Sequence, residues 1–275
     1  MWQLLLHRFA APLPLRGRIE YATASASIPE MHADTKTDLR AVRLSEQTPG
    51  ERQRLLRVYE ATVYGPAFPD AEIREDPGYW LGLLNADPYP APPQPKIEVI
   101  LLAAEDGSIA GGATIELYRG AGCGLLTYLS IHADRRGQGL GKRLVAEART
   151  ALERMAGGPA PMFAETERLE DAHDPAERDE TILRQSRLSG LGAKLIDFDY
   201  IMPPLRADTL PHRLHLMVFG GPQMVAGKTV LALLDELARA LGTDLARFDD
   251  TRGMAEMLAR DPPLAVRPLP AARPR

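Results

Sequence analysis

A basic, glycine-rich stretch, residues 135–143, contains the residues of this sequence best suited to bind an anion. Gly137, Gly139 and Gly141 alternate with other residues, and the stretch holds four cations and no acid. The backbone N–H groups that begin a helix have no partner inside it, and the helix dipole favours negative charge there. Because glycine lets a ligand approach the backbone closely, the stretch predicts a phosphate or pyrophosphate site.

Two common phosphate-binding motifs do not match this turn. The dinucleotide fingerprint requires glycine where Lys142 stands, and the P-loop requires serine or threonine where Arg143 follows the lysine. A tight connection between a strand and a helix, with a solvated basic rim, is the alternative interpretation of the same residues.

The order of residues around the turn resembles a known family. Arg136, Gly139 and Gly141, in the spacing R-x-x-G-x-G after a strand and before a helix, resemble the acetyl-CoA motif of GCN5-related N-acetyltransferases (GNAT). Downstream, residues 188–194 (LSGLGAK) resemble a helix-end segment of that family, with a strand between the two matches. The resemblance covers residues 37–220.

The resemblance implies a fold and a donor substrate. The expected fold is α/β (α+β), a GNAT-type central mixed sheet splayed after its fourth strand and flanked by helices, here with extra C-terminal helices. Acetyl-CoA would be the acyl donor, with its pantetheine in the gap and no metal. The backbone residues expected to hold the pantetheine are Leu129, Ser130 and Ile131. The residues expected to cradle the pyrophosphate are Arg136, Gly137, Gln138, Gly139, Leu140, Gly141 and Lys142.

Transfer to an amine requires the amine to be neutral, so a general base is expected. Strand alternation over residues 161–167 puts Phe163, Glu165 and Glu167 on one face. By the resemblance, Glu165 stands where many relatives carry a glutamate. Glu167 is a second candidate, because two neighbouring acids disfavour each other's ionised form. Its alternative role is a solvated acid at the strand end.

A general acid is harder to assign from the residues. By the resemblance, the family's usual tyrosine would stand at Leu188, so this sequence departs from the family there. Tyr200 is the catalytic candidate that replaces it, with Tyr128 as another, unless the thiolate leaves without a dedicated acid. Packing in a strand is the alternative role of Tyr200.

Residues 168–178 form a second departure, an apparent insertion expected to be a mobile acidic loop. His173 lies among its acids, but without helical i,i+4 pairing we predict no metal site. Residues 165–180 carry eight acids against two arginines, a net charge of −6 within a chain of net charge −4. An acidic segment beside a basic turn suits a cationic amine and an anionic donor.

A P-loop-like segment at 221–229 supports a third, weaker hypothesis of nucleotide hydrolysis. Five residues separate its glycines where the motif has four, and Pro222 occupies a required glycine position. We interpret it as a turn before two helices, at 229–241 and 244–258, which could cover the sheet or form a homodimer contact.

These residues need a mixed set of elements to position them. Strands are predicted at 38–44, 96–104, 109–118, 125–131, 161–167, 194–202 and 213–219. Asp106 and Gly107 mark a hairpin turn between the second and third of these. Helices are predicted at 51–64, 70–84 with Asp70 as the cap, 141–156 and 181–191.

The predicted organisation has four parts. Residues 1–36 are a poorly ordered N-terminal arm in which Met31 is a second candidate start. Residues 37–222 form the acetyltransferase domain, 223–261 a C-terminal helical extension, and 262–275 a proline-rich mobile tail.

Composition excludes several classes of protein. Apolar residues make up 45% and charged residues 25%, which excludes disorder throughout. A net charge of −4 argues against nucleic-acid binding, and a lone cysteine, Cys123, excludes disulfide scaffolds. With neither a membrane-length apolar run nor a signal peptide, we expect a cytoplasmic protein.

The sequence therefore predicts an acetyl-CoA-dependent N-acetyltransferase that acts by direct attack of a primary amine. A small-molecule amine is favoured over a protein. The alternative is a non-catalytic acyl-CoA-binding or sensing module, which the leucine at position 188 motivates.

Overall fold

The computed structural model describes residues 38–69, 74–204, 209–221 and 223–269. The strands are β1 (Arg40–Arg43), β2 (Lys96–Ala103), β3 (Ile109–Tyr118), β4 (Cys123–Ile131), β5 (Met162–Thr166), β6 (Ala193–Ile196), β7 (Tyr200–Met202), β8 (His212–Phe219), β9 (Met224–Ala226) and β10 (Pro263–Pro268). The helices are α1 (Pro49–Tyr59), α2 (Gly65–Ala67), α3 (Pro77–Asn85), α4 (Leu140–Ala156), α5 (Pro175–Gly190), α6 (Gly227–Ala240) and α7 (Asp249–Ala259). A π-helical turn, Glu60–Tyr64, joins α1 to α2.

The strands form one mixed sheet in the order β1-β2-β3-β4-β5-β8-β6-β10-β9, and β7 pairs with β8 off this path. The β2–β3 hairpin turns where the sequence predicts it, and Gly107 has a φ of +83° that favours glycine. β4 and β5 are parallel, whereas every other pair among the described strands is antiparallel.

The sheet opens beside the end of β4. The pairing of β4 with β5 consists of two residue pairs, Gly124 with Met162 and Leu125 with Phe163. β4 then continues to Ile131 paired with β3, with a register shift between Leu126 and Tyr128, while β5 pairs with β8. This confirms the predicted mixed sheet that is splayed after its fourth strand.

Helices cover both faces of the sheet and enclose three hydrophobic clusters. The alternation of β2 separates the faces, because Ile100 belongs to the first cluster and Leu101 to the third. α4 and Leu188 of α5 cover the first cluster. On the opposite face, α1 and α3 cover the third cluster, and α6 and α7 cover the second. The C-terminal helices therefore cover the sheet.

The start of α3 differs from the predicted helix at 70–84. α3 begins at Pro77, and Asp76 accepts a hydrogen bond from the backbone N–H of Gly78 at 2.7 Å. An Asp-Pro pair specifies a helix start, because aspartate caps the first turn and proline needs no N–H there. Asp70, the predicted cap, lies outside the described residues.

The same signal corrects the predicted acidic loop at 168–178. α5 begins at Pro175, six residues before the predicted start at 181, and Asp174 accepts from the backbone N–H of Glu177 at 2.9 Å. The prediction of an irregular loop is therefore wrong for residues 175–178. The remaining residues of the segment include a 3-10 turn, Leu169–Asp171.

Two other predicted boundaries also change. The predicted strand at 194–202 is divided into β6 and β7. These two strands pair with opposite ends of the eight-residue strand β8, so they do not form one continuous strand. α7 begins at Asp249, later than the predicted residue 244.

The predicted proline-rich tail contains a strand of the sheet. β10 pairs with β6 through Val266 and with β9 through Leu264, which is buried in the second cluster. The prediction of a mobile tail is wrong for residues 263–268, because Pro263 and Pro268 stand at the strand's ends, where a missing N–H is tolerated. Residues 270–275 lie outside the described part.

The predicted arm, residues 1–36, also lies outside the described residues. In the part of the chain that the structure describes, no helix is long and apolar enough to cross a membrane.

Candidate active site

A cleft of about 230 Å³ lies between the end of β4 and the start of α4. Its lining consists of Leu129, Ser130, Ile131, Arg135, Arg136, Gly137, Gly139, Leu140, Gly141, Arg187 and Leu191. Eight of the ten predicted donor-binding residues are therefore brought together in one place.

The glycine turn gives the cleft its open backbone. Gly137 and Gly139 have φ values of +77° and +76°, in the left-handed region that favours glycine. α4 begins directly after Gly139 with no side-chain cap and no acid in its first turn. A Cβ added at Gly137 or Gly139 would meet open space, so the turn keeps room for a ligand. These features fit a phosphate group held by backbone N–H donors.

Gly141 explains why the two family-like segments of the sequence lie together. A Cβ at Gly141 would lie 3.1 Å from Cδ2 of Leu191, so a larger residue would crowd the chain just past the end of α5. The end of α5 thus packs against the first turn of α4. The two segments form adjacent walls of one cleft.

The end of β4 supplies the third wall. Its backbone pairs on one side with β3, where Leu129 stands opposite Ala113 and Ile131 opposite Gly111. After Leu125, the other edge of β4 no longer pairs with β5. Ser130 is buried, and its hydroxyl lies 2.8 Å from the hydroxyl of Tyr59. The strand can therefore offer backbone groups to a linear amide-containing ligand, while the Ser130 side chain anchors β4 to α1.

Arginines give the cleft its charge. Arg136 donates from Nε to the carbonyl of Ile131 at 3.4 Å, and burial lowers its pKa below the ordinary value. Arg187 enters from the last turn of α5 and is half-buried. Burial, followed by the charges of Arg136 and Arg184, lowers the pKa of Arg187 to about 10. Both groups remain protonated near neutral pH, which favours an anion.

Gln138 and Lys142 were predicted in the same cradle, but their side chains lie elsewhere. Both residues are exposed and neither lines the cleft. The backbone N–H of Lys142 donates to the carbonyl oxygen of Gly139 at 3.1 Å.

Arg187 is a lining residue that the sequence interpretation missed. It precedes Leu191 by four residues, so the two share a helix face. That spacing is the signal that could have identified it, once Leu191 was placed beside the glycine turn.

Glu165 and Tyr200 are brought into contact on the face covered by α6 and α7. Glu165 lies two residues past the last β4–β5 pair, is 6% exposed, and accepts a hydrogen bond from the Tyr200 hydroxyl. Burial, and then the neighbouring Glu165, raises the pKa of Tyr200 well above its ordinary value. Tyr200 therefore stays protonated and holds one carboxylate oxygen in place.

Glu167 has a different partner. Its carboxylate forms an ion pair with Arg184 of α5, and Gln185 donates to its backbone carbonyl at 2.8 Å. The side chain of Arg184 is 4% exposed, so this pair fastens α5 to the end of β5. Glu165 and Glu167, predicted as two acids on one face that disfavour each other's ionised form, are held by different partners, Tyr200 and Arg184.

The other general-acid positions are packed. The ring of Tyr128 contacts those of Tyr64, Phe68 and Trp80, and its hydroxyl accepts from the backbone N–H of Glu75 at 3.0 Å. Leu188 is fully buried in the first cluster. Its side chain helps to position α5.

A second buried carboxylate lies on the Glu165 face of the sheet. Glu116 of β3 is fully buried and accepts from the hydroxyl of Tyr118 at 2.7 Å. Tyr118 and Tyr200 both belong to the second cluster, so the two glutamate–tyrosine pairs share one core. An acid within an otherwise apolar strand is the only sequence signal for Glu116.

The P-loop-like segment forms no phosphate loop in its described part. β9 occupies residues that a P-loop would leave irregular, and α6 begins at Gly227. Lys228 donates its backbone N–H to Asp261 at 2.9 Å and forms an ion pair with the same carboxylate. Pro222 is outside the described residues. The described part of the segment therefore consists mainly of β9 and the first residues of α6.

Across the described ranges, no group of three or more His, Cys, Asp or Glu side chains is arranged to hold a metal ion. The backbone N–H of His173 is bonded to Glu177 at 2.7 Å.

Comparison with known proteins gives one family match. Residues 61–173, which include the glycine turn, match the family model described as the acetyltransferase (GNAT) family. No curated protein matches the chain.

The solved structures to which the chain is similar share low sequence identity with it. A protein of Bacteroides thetaiotaomicron described as a GNAT-family acetyltransferase is 18% identical, with a TM-score of 0.44 over 66% of this chain and 88% of that one. Tetrahymena GCN5 is 12% identical, with a TM-score of 0.41 over 66% and 94%. An aminoglycoside 6'-N-acetyltransferase complexed with coenzyme A is 14% identical, with a TM-score of 0.42 over 65% and 95%.

Proposed function

We propose that this chain, whose residues 61–173 are a domain of the acetyltransferase (GNAT) family, transfers an acetyl group from acetyl-CoA to a primary amine of a small molecule. The family match agrees with the resemblance carried by Arg136, Gly139 and Gly141. The observation that carries the proposal is the cleft itself, in which an uncapped helix start, three arginines and the edge of β4 beyond its last pair with β5 line one cleft.

The chain's own residues can bind the donor along this surface. Backbone N–H groups of the turn and of the first turn of α4 suit the pyrophosphate, and Arg136 adds a charge-assisted contact. The backbone from Leu129 to Ile131 suits the pantetheine amides. A backbone N–H at that strand end can also donate to the thioester oxygen, where negative charge develops during transfer. When bound, acetyl-CoA supplies an acetyl thioester whose carbonyl carbon the amine attacks.

Glu165 is the residue we assign as general base. It lies where β4 and β5 diverge, and a carboxylate there can accept the proton that the amine must lose. Tyr200 is assigned as a positioning residue, because its hydroxyl donates to Glu165 and burial keeps it protonated. Glu167 is assigned to fastening α5 through Arg184.

A cationic amine is the favoured acceptor. Glu116 and Glu165 both lie buried on the face opposite α4, each held by a tyrosine hydroxyl. Buried carboxylates disfavour anions and attract an ammonium group before it is deprotonated.

Release of the CoA thiol across a panel of amines tests the assignment. The panel contains a polyamine, an aminoglycoside, amino acids and a peptide N-terminus. Cys123 will not contribute a background thiol, because it is fully buried and burial raises its pKa to about 12. We expect turnover with at least one small-molecule amine.

Variants of the two glutamates test the roles of these side chains. We expect Glu165→Gln to lower kcat by about 100-fold or more while the KM for acetyl-CoA stays within about twofold. Raising the pH should restore part of this loss, because the amine is then already neutral. The matched control, Glu167→Gln, should lower kcat far less.

Three results would overturn parts of this proposal. Absence of CoA and acetyl-CoA binding would remove the acetyltransferase assignment. Tight acetyl-CoA binding without turnover of any amine would support a sensing module instead. Equal losses in both glutamate variants would remove Glu165 as the base.

A further inference from the structure

Two arginines from distant parts of the sequence meet in the donor cleft. Arg136 lies in the turn before α4, and Arg187 lies in the last turn of α5, yet both line the same cleft. The two guanidinium groups also repel each other, since the charge of Arg136 lowers the pKa of Arg187. Holding two like charges together costs free energy that a bound anion would offset.

Two acids, Glu167 and Glu180, lie near Arg184 one turn earlier on α5, and the charge of Glu180 also raises the pKa of Arg187. Arg184 forms ion pairs with Glu167 and, at 3.5 Å, with Glu180. These carboxylates fasten the middle of α5, whereas Arg187 lies further toward the glycine turn and lines the cleft beside Leu191.

We infer that Arg187 binds the pyrophosphate of the acyl donor from the wall opposite Arg136, so that α5 and the glycine turn close on the phosphates from two sides. This inference rests on the proposed function, because it needs a phosphate-bearing donor in the cleft. A guanidinium presents several N–H donors in a fixed plane, which suits two adjacent phosphate oxygens. The pyrophosphate is favoured over a more distant phosphate because Arg187 shares the cleft with Gly139 and Gly141.

A structural role for Arg187 is the competing explanation. A cation in the last turn of a helix also interacts favourably with the helix dipole. That role predicts lower thermal stability without a specific effect on phosphate ligands, so the two roles give different results.

The test is isothermal titration of the full chain with coenzyme A and with 3'-dephospho-coenzyme A, which keeps the pyrophosphate. We expect Arg187→Ala to weaken both ligands equally, by about tenfold or more, as loss of a charge-assisted contact implies. Arg187→Gln keeps much of the side chain's length without its charge. It should show the same loss and carries the test if the alanine variant does not fold.

Arg178→Ala is the matched control. It removes the same charge from the same helix, but Arg178 is exposed near the N-terminus of α5 and does not line the cleft. We expect its affinities to stay within about twofold of the unaltered protein, because a remote exposed charge is screened by salt.

The outcomes separate this inference from the proposed function. If the unaltered protein binds neither ligand, the proposed function fails. If it binds both and the Arg187 variants bind equally well, or if Arg178→Ala shows the same loss, the assignment of Arg187 is overturned. A loss confined to coenzyme A would assign Arg187 to the 3'-phosphate and overturn the pyrophosphate assignment.

Discussion

At the scale of single residues, the candidate site depends more on backbone conformation than on side chains. Gly137 and Gly139 adopt a φ that other residues adopt only with strain, and that conformation aims the start of α4 into the cleft. Gln138 and Lys142 lie in the same turn with side chains directed elsewhere. The glycines are therefore the residues whose identity matters most for the cradle.

Replacing Gly139 by alanine should weaken donor binding and cost some stability. The positive φ of 76° predicts a loss of about 1 kcal/mol in the free energy of unfolding. The added methyl group would occupy space that opens onto the cleft, so we expect weaker coenzyme A binding as well. Urea unfolding and isothermal titration measure the two effects.

Gly122→Ala separates strain from ligand contact. Gly122 has a φ of +65° and equally open surroundings, but it lies in the turn between β3 and β4, away from the cleft. We expect the same loss of stability with unchanged coenzyme A affinity. If Gly139→Ala binds coenzyme A as tightly as Gly122→Ala does, the turn at Gly139 does not contact the donor.

At the scale of elements, the C-terminal strand β10 forms through backbone pairing with its neighbours, although its proline content predicted a mobile tail. β10 is rich in proline at its ends, yet it lies between β6 and β9 and contributes Leu264 to the second cluster. Exposed Arg267 on the same strand pairs with Asp197 at 2.5 Å. The strand is thus integrated into the sheet through both its backbone and one of its side chains.

Leu264→Ala should therefore destabilise the protein. Leu264 is 5% exposed, and truncating a buried leucine leaves a cavity that costs about 2–5 kcal/mol in the free energy of unfolding. Arg267→Ala is the control from the same strand and should cost less than about 1 kcal/mol, as expected for an exposed ion pair. Urea denaturation measures both, and two neutral substitutions would favour the mobile tail.

At the scale of the whole molecule, the C-terminal helices share a core with the central strands. The second cluster contains Leu125 of β4 and Phe163 of β5 together with Leu233 of α6 and Leu258 of α7. Glu236 of α6 also accepts from the backbone N–H of Ala121 at 2.8 Å. The predicted boundary at residue 223 therefore crosses a continuous core.

Unfolding should accordingly be a single transition. Trp80 is fully buried in the third cluster and, in a Trp2→Phe variant, is the sole tryptophan of the chain. We expect its fluorescence and the far-ultraviolet circular dichroism to change with the same urea midpoint. An additional dichroism transition not followed by Trp80 would show that residues 223–261 unfold as a separate unit.

The sequence alone was sufficient for the local features. The periodicity of β2, β3 and α4, the hairpin at Gly107 and the spacing of Arg136, Gly139 and Gly141 predicted the sheet, the glycine turn before α4 and the family whose model matches residues 61–173. Such signals are local, because the conformation of a turn or the amphipathic face of a helix depends on residues close in the chain.

Only the tertiary structure decided which side chains lie next to one another in the candidate site. It brought Arg187 to Arg136, Tyr200 to Glu165 and Arg184 to Glu167, and it made a strand of residues 263–268. Each of these arrangements joins segments that are apart in the chain, and the free energy of burial that holds the segments together exists only when both sides are present. Spacing along the sequence can nominate a charged or hydroxyl side chain, but its chemistry depends on the neighbour it meets across the fold.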